Sequence, residues 1–469
     1  MKNSMNHYLA EESVVKLMLK FSIPCTMSLL VSALYNIVDQ IFIGQGIGYL
    51  GNGATNVVFP VTILALSIAL LIGDGCAAYL SICQGSKDEE NAHRSVGNAV
   101  VFTLIVSIVL TTLLIIFKNH ILMSFGATAN TLAYASEYYS YIVIGIPCFM
   151  FANMMNSIIR ADGSPQFAML STLAGCIINV ILDPIAIFIF GWGMMGAALA
   201  TILGQFVSAI LALYYLKHTK SIQLHKGSFM LRTKLLKRIL PLGISSFLTQ
   251  ISIVVIMGVM NNVLVTYGAQ SKYGADIPLT VVGIVMKVFQ IVISFVVGIA
   301  AGSQPIVGYN YGAKEMKRVK QIFKTMILAE ITVGIIATIC FECFPLQIIR
   351  IFGSENELYN EFAVMAFRCY LGTILLCCIQ KATSIFLQSL GKPMLSMGLS
   401  LLRDFVLSVP LVLVLPISFG VEGVLVSAPI ADVISFIVVI FISTYLLRHL
   451  DKEHETSLIE LHELKIQGA

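Results

Sequence analysis

Charge is what this sequence has least of. Asp, Glu, Lys and Arg together make up 12% of its 469 residues, about half the roughly 25% found in soluble globular domains. Apolar types make up 57%, and mean hydropathy is +0.89. That balance excludes a soluble domain, and the formal net charge of +4 belongs to loops rather than to a nucleic-acid surface. No nucleotide-binding loop, metal-ligand cluster, nucleophile–base pair or sizeable soluble domain is visible, which argues against an enzyme or a receptor. Apolar runs do not alternate with polar residues, so a β-barrel is excluded. No small-residue cleavage site precedes the first apolar run, and no cleavable signal peptide is expected. The ten cysteines lie in or at the ends of apolar runs; Cys340 and Cys343 form a C-x-x-C with no second pair, which suits packing better than metal or redox chemistry.

What the sequence does have is hydrophobic stretches of about 20 residues, each able to cross a ~30 Å hydrocarbon core. They fall near 17–43, 54–82, 95–117, 133–158, 166–190, 195–216, 239–266, 279–308, 320–343, 359–388, 394–416 and 424–447. The expected fold is an all-α polytopic membrane protein of about 12 transmembrane helices. Basic residues set its orientation. Lys87 and Arg94 follow the second span, seven Lys and Arg lie between Lys217 and Arg238, and five lie between Lys314 and Lys324. The alternate loops hold only Lys118, Lys272 and Arg350. Both termini are therefore expected on the cytoplasmic side of a prokaryotic cytoplasmic membrane.

The chain is also written twice. Pro24 returns as Pro241, Gly85-Ser86-Lys87 as Gly312-Ala313-Lys314, and Phe125-Gly126 as Phe352-Gly353. Gly163-Ser164-Pro165 returns as Gly391-Lys392-Pro393, and Gly193 and Gly196 as Gly420 and Gly423. The offset is 217 at the first pair and 227 or 228 at the rest, with extra residues near Ser271–Thr280. An even number of spans per repeat makes the two halves parallel, related by a pseudo-twofold axis along the membrane normal. The expected organisation is an N-terminal lobe (1–216), a cytoplasmic linker (217–238), a C-terminal lobe (239–449) and a charged tail (450–469). Two such halves around one cleft suit alternating access.

Ionisable residues inside spans are functional candidates. The first half holds Asp39, Asp74 and Asp183 with no mid-span Lys or Arg to pair with them. The second holds Lys287, Arg368, Lys381 and Arg403 against Glu330, Asp404 and Asp432, a set that roughly balances. An unpaired buried carboxylate must take up a proton or a cation, which suits ion coupling. Asp39 and Asp183 reach similar depth; Asn36 precedes the first by three residues, Asn179 precedes the second by four, and Thr201 falls nearby in the sixth span. These offer the hard oxygen ligands of Na⁺ or a proton-carrying network. Plainer readings compete. Asp183 before Pro184 could only cap a broken helix, and Asp39 could hydrogen-bond a helix end. Asp74, between Gly73 and Gly75, reads as a hinge or interfacial residue. Asn153 and Asn156 either bond between helices or line a cavity. Arg160 at a span end reads as snorkelling, and Pro24 as a bend or hinge. Twenty Met, 27 Phe and 17 Tyr suit a pliable apolar binding surface.

Several stretches together resemble the multidrug and toxic compound extrusion (MATE) family. They are Tyr35-Asn36-Ile37-Val38-Asp39-Gln40-Ile41-Phe42-Ile43-Gly44, Arg160-Ala161-Asp162-Gly163-Ser164-Pro165, Asn179-Val180-Ile181-Leu182-Asp183-Pro184, and Gly302 to Lys314. The resemblance runs from about Leu17 to Leu447 and is nearer the MepA-like and DinF-like branches than the NorM-like one. It implies a coupling site at Asp39, Asn179, Asp183 and Thr201, with Tyr138, Asn153 and Asn156 as neighbouring polar residues. Where the NorM-like branch has acids, this chain reads Ser246-Phe247-Leu248-Thr249-Gln250 and Gln380-Lys381, so a sodium site of that kind in the second half is not expected. The reading is a monomeric secondary transporter embedded in the lipid bilayer, not an enzyme and without a cofactor, exporting amphipathic or cationic drugs and toxins against H⁺ or Na⁺. The alternative is a flippase for lipid-linked precursors, which would line its cleft with basic residues.

Overall fold

The apolar runs fold as helices throughout. The computed structural model describes residues 9–127, 131–274, 276–352 and 357–467, and no strand occurs among them. In the first half α1 spans Val14–Gly46, α2 Tyr49–Gly85, α3 Glu89–Ile116 and α4 Leu132–Ala161; α5 spans Pro165–Pro184 and continues as a π turn, Ile185–Ile189, before α6, Gly193–Lys217. In the second half α7 spans Thr233–Gly268, α8 Asp276–Gly312 and α9 Met316–Cys343. The tenth path, α10, comes in two pieces, Glu357–Tyr370 and Ile374–Ser389, bent by 44°. The eleventh, α11, joins Pro393–Leu401 to Ser408–Phe419 through a π turn, Leu402–Leu407; α12 spans Val421–Gln467. Among the described residues, eleven helices are long and apolar enough to cross a membrane, twelve when the bent pair counts as one path. The expected continuous tenth span is thus broken, and the twelfth helix runs on through the charged tail. Large apolar side chains such as Ile189, Ile417 and Phe441 stand outward, each more than 70% exposed, as a surface solvated by lipid allows.

The repeated landmarks mark places where the backbone needs unusual conformations. Lys87 and Lys314 both sit in the left-handed region (φ 60° and 59°) at the turn after the second helix of each half. Gly163 and Gly391 (φ 84° and 70°) and Gly193 and Gly420 (φ 54° and 59°) repeat the left-handed turns before the fifth and sixth helices, where a side chain would add strain. Gly353 lies outside the described residues. The extra residues of the second half sit at the α7–α8 junction, in turns over 269–274.

The halves interlock at the end that carries the 217–238 linker. Leu17, Met18 and Phe21 at the start of α1 belong to a core built mainly from α8, α9, α10 and α12. In exchange, Leu235 and Ile239 at the start of α7 belong to the first half's core. Glycines let the backbones touch there. A Cβ on Gly243 would collide with the Leu71 carbonyl, one on Gly85 with the Tyr309 carbonyl, and one on Gly302 would sit 2.6 Å from the Ser22 Cα. Ser22 and Thr26, which flank Pro24, are the residues pressed against Gly302 and Gly298 of α8. Pro24 does not break α1, which stays helical through it. At the other end of α7 and α8, Gly258 and Gly283 have nothing within 4 Å of a built Cβ. The linker itself is fastened to the first half. Asn98 donates to the Ser228 and Met230 carbonyls and accepts from the Arg232 amide at 2.6 Å. Asp162 accepts from the Tyr215 hydroxyl, the Lys220 and Ser221 amides and the Ser221 hydroxyl; burial nonetheless holds its carboxyl above the ordinary value.

Candidate functional site

Four elements bring the sequence candidates together in the first half. On α1, Asp39 is buried, and on α5, Asp183 is fully enclosed; the two carboxyls are close neighbours. One turn before Asp183, the Asn179 side chain donates to the Thr201 hydroxyl of α6 at 3.2 Å. Tyr138 of α4 is buried within electrostatic reach of Asp39 and Asp183 and beside Thr201. Tyr35, one turn before Asp39, shares that surrounding; in the sequence it stands in the family-like stretch without marking itself as a site residue. Both carboxyl oxygens of Asp183, one of Asp39 and the carbonyl oxygen of Asn179 are buried without a hydrogen-bond donor among the described residues. Ionised and unpaired, such oxygens would cost several kcal/mol. The helix runs on through Asp183 and Pro184 into a π turn, so Asp183 does not cap a broken end.

Other candidates are placed differently. Asn36 is exposed and donates to the Ser32 carbonyl of its own helix at 2.7 Å; it stays outside this cluster. Asn153 and Asn156 line a cavity of about 90 Å³ on the linker side of Asn179 and Thr201, together with Tyr35, Thr172 and Gln205. Arg160 does not snorkel. It bonds the Asn156 side-chain oxygen at 2.6 Å and lies 3.7 Å from Asp74. Asp74 is therefore paired, unlike the expectation from sequence, and it also accepts from Ser157 of α4 at 2.6 Å and from Ser246 of α7 at 2.8 Å.

The second half's charges divide three ways. Lys381 meets Asp404 at 2.6 Å, and Arg403 bridges Asp404 and Asp432, each at 3.0 Å. Thr373, at the break in α10, donates to Asp432 at 2.8 Å. This quartet is neutral and buried. Glu330 is not part of it: it is fully buried, and neither carboxyl oxygen has a donor. Arg368 lies on the surface beside Glu342, and Lys287 is exposed. The repeat explains the quartet's position. The offset of 228 that relates Gly163 to Gly391 relates Lys381, Arg403 and Asp404 to Asn153, Gly175 and Cys176. The offset of 227 at Gly196 and Gly423 relates Asp432 to Gln205. All four counterparts line the first half's cavity. Where one half keeps a polar cavity, the other fills the place with two ion pairs. Among the described residues no group of His, Cys, Asp and Glu could hold a metal ion by conventional clustering.

One family model, described as MatE, matches twice, over residues 24–185 and again over 243–414. The chain belongs to the MatE family. Its two matches coincide with the internal repeat. Among curated relatives, the multidrug export protein MepA of Staphylococcus aureus is 25% identical over 98% of this chain and 100% of its own length. The MepA of Staphylococcus saprophyticus is 26% identical over 96% and 97%. Among solved structures, a MATE in complex with MaL6 superposes with a TM-score of 0.88 at 24% identity, covering 95% of this chain and 99% of that one. An outward-facing multidrug resistance MATE family transporter of the MOP superfamily gives 0.88 at 24% identity, covering 94% and 98%. A MOP superfamily transporter from Pyrococcus furiosus, described as having a binding pocket of reverse polarity, gives 0.87 at 24%, covering 95% and 98%. These likenesses establish the two-lobed, twelve-helix fold of a multi-pass membrane protein.

Proposed function

We propose that this MatE-family chain exports amphipathic small molecules, cationic and aromatic ones among them, by antiport with H⁺ or Na⁺ through alternating access. The observation that carries the coupling is the Asp39–Asp183 pair. Two neighbouring carboxyls, with oxygens that no donor satisfies, hold their place only when a proton or cation neutralises them. The Asn179, Thr201 and Tyr138 side chains supply further oxygens around them. The adjoining cavity, at about 90 Å³, has room for waters or an ion but is smaller than the ~300–1,000 Å³ of drug-sized pockets. The drug then belongs in the cleft between the halves, whose lobes are 1–216 and 239–449. No cofactor is needed, and a monomer suffices because the chain carries both lobes.

The linker side is the cytoplasmic face in this reading, following its basic residues. The interlocked end is then the inner one, and the described state opens outward. Neutralising the carboxyl pair on α1 and α5, with Pro24 as the hinge, would shift the lobes toward the inward-open state. Ion and drug need only favour different states for their fluxes to couple. The flippase alternative is weakened because Lys381 and Arg403 are spent on Asp404 and Asp432. The test is transport in proteoliposomes with a fluorescent amphipathic dye and an imposed pH or Na⁺ gradient. Gradient-driven dye movement supports the reading; dye movement indifferent to both gradients overturns the antiport.

A further inference from the structure

Lys287 stands in α8 ten residues inside a membrane-spanning stretch that begins at Ile277, about 15 Å deep by helical rise. It is exposed, and none of the ion pairs or hydrogen bonds among the described residues engages it. Its direction follows from helix geometry. Lys287 and Gly298 are eleven residues apart, which at 100° per residue places them within about 20° of each other on the helix face. Gly298 is the residue against which Thr26 of α1 packs. The exposed positions Thr280, Gly283, Lys287 and Gln290 thus continue, toward the open end, the face that makes the interlobe seam below. The opposite face, Val281, Val285, Val288 and Val292, is buried in the second half's core. Lys287 therefore points into the cleft between the halves, not into lipid.

The α1 wall it faces is polar, and the acid of that helix stretch, Asp39, is buried inside the first half. On α1 the seam face of Ser22 continues by the same geometry to Asn36 and Gln40; Asn36 is exposed and Gln40 half-buried. Among the described residues the buried acids of the spans are engaged or enclosed elsewhere: Asp39 and Asp183 inside the first half, Asp74 in the seam, Asp404 and Asp432 with their basic partners, Glu330 in the second half's core. We infer that Lys287 is a specificity-determining residue that makes the cleft favour amphipathic substrates bearing a carboxylate or other anionic group over plain organic cations. An ammonium on a flexible stem suits a substrate group of variable position. A like-charged ligand in the same cleft meets repulsion from an ammonium that no carboxylate among the described residues pairs with.

This inference rests on the transport reading and, within its amphipathic substrates, ranks those with an anionic group above the cations. The experiment uses the full chain in proteoliposomes and two dyes on one ring system: fluorescein, which is anionic, and a rhodamine ester, which is cationic. Initial transport rates are taken as the anion-to-cation ratio, which cancels differences in protein amount. Wild type should favour fluorescein. In Lys287→Met the ratio should fall roughly fivefold, the scale of a solvent-exposed charge pair, and in Lys287→Glu it should fall further and favour the cation. Lys287→Gln serves as a second neutral variant should Met reduce insertion. An unchanged ratio in Met, Gln and Glu variants that still transport overturns the inference while leaving the transporter intact. Failure of wild type to move either dye overturns the transport reading, and this inference with it.

Discussion

Ser246 of α7 donates a 2.8 Å hydrogen bond to Asp74 of α2, tying the two halves together at the linker end. The same carboxylate accepts from Ser157 and lies 3.7 Å from Arg160, which in turn bonds Asn156 in the cavity wall. Asn156 donates to Thr172, another cavity residue. Gln388 of α10 donates to Ser246 from the far side at 3.2 Å. A connected set of polar contacts thus runs from the cavity to the seam, beside the Gly243–Leu71 backbone contact that closes it.

Opening the linker end must break these contacts. Asp74→Asn removes the charge facing Arg160, and Ser246→Ala removes the bond across the seam. Each should raise the population open on the linker side a few-fold, since a hydrogen bond to a charged group contributes about 1.5–3 kcal/mol and water partly replaces it. Gly243→Ala should do so more strongly, because its methyl group cannot fit against the Leu71 carbonyl. Spin labels at Lys87, in the turn after α2, and Lys317, in the first turn of α9, both exposed at the linker end, report the separation. Unchanged distance distributions in all three variants would rule out a latch here.

How much of this was legible in the sequence depends on the range of the interaction. Helix positions follow from apolar runs, and the repeat follows from turns that need left-handed backbone, so Lys87 and Gly163 announced their partners directly. Asp39, Asn179, Asp183 and Thr201 stood out because oxygen-bearing residues are costly in a span. What one dimension could not give was partnership. Arg160 reads as a snorkelling end residue until α2 and α4 pack and bring Asp74 beside it. Glu330 looks balanced when charges are counted, yet no base reaches it in space. Tyr35 is an ordinary aromatic by sequence, and only the packing of α1 on α5 puts it at the carboxyl pair. The break in α10 also left no proline to mark it; it falls where Thr373 turns to Asp432.

The second half's quartet makes a stability prediction. Asp432→Asn leaves Arg403 short of one partner in a buried place, and breaking such a pair from one side costs about 3–5 kcal/mol. Lower expression and a lower melting temperature in detergent are expected, with gradient dependence retained in whatever protein inserts. Glu330→Gln should behave oppositely and leave stability nearly unchanged, because no cation is deprived of a partner. Normal stability with lost ion coupling in Asp432→Asn would move the coupling site into the second half.

Orientation has its own test. Single cysteines at Lys226 and Lys272, both exposed, are introduced into a cysteine-free background and treated in intact cells with an impermeant thiol reagent. The basic loops predict labelling at 272 and none at 226. Labelling at 226 alone would invert the topology and make the described state inward-open.

The coupling pair gives the sharpest prediction. Asp183→Asn is nearly isosteric, and its site offers no cation whose pairing would be lost, so insertion and stability should survive. What disappears is a charge that an ion must neutralise in every cycle. Gradient-driven efflux should fall to background, while binding of a fluorescent substrate persists; Asp39→Asn should act alike. The double variant should lose little more than either single one, because residues serving one site are not additive. Inverted vesicles with an imposed pH or Na⁺ gradient supply the measurement, normalised to protein in the membrane. If the double variant effluxes at the wild-type rate, neither carboxylate carries the ion. The buried oxygens of Asp183 would then be an isolated feature of the α5 helix, and coupling would have to be sought at Glu330, an enclosed acid with no donor among the described residues.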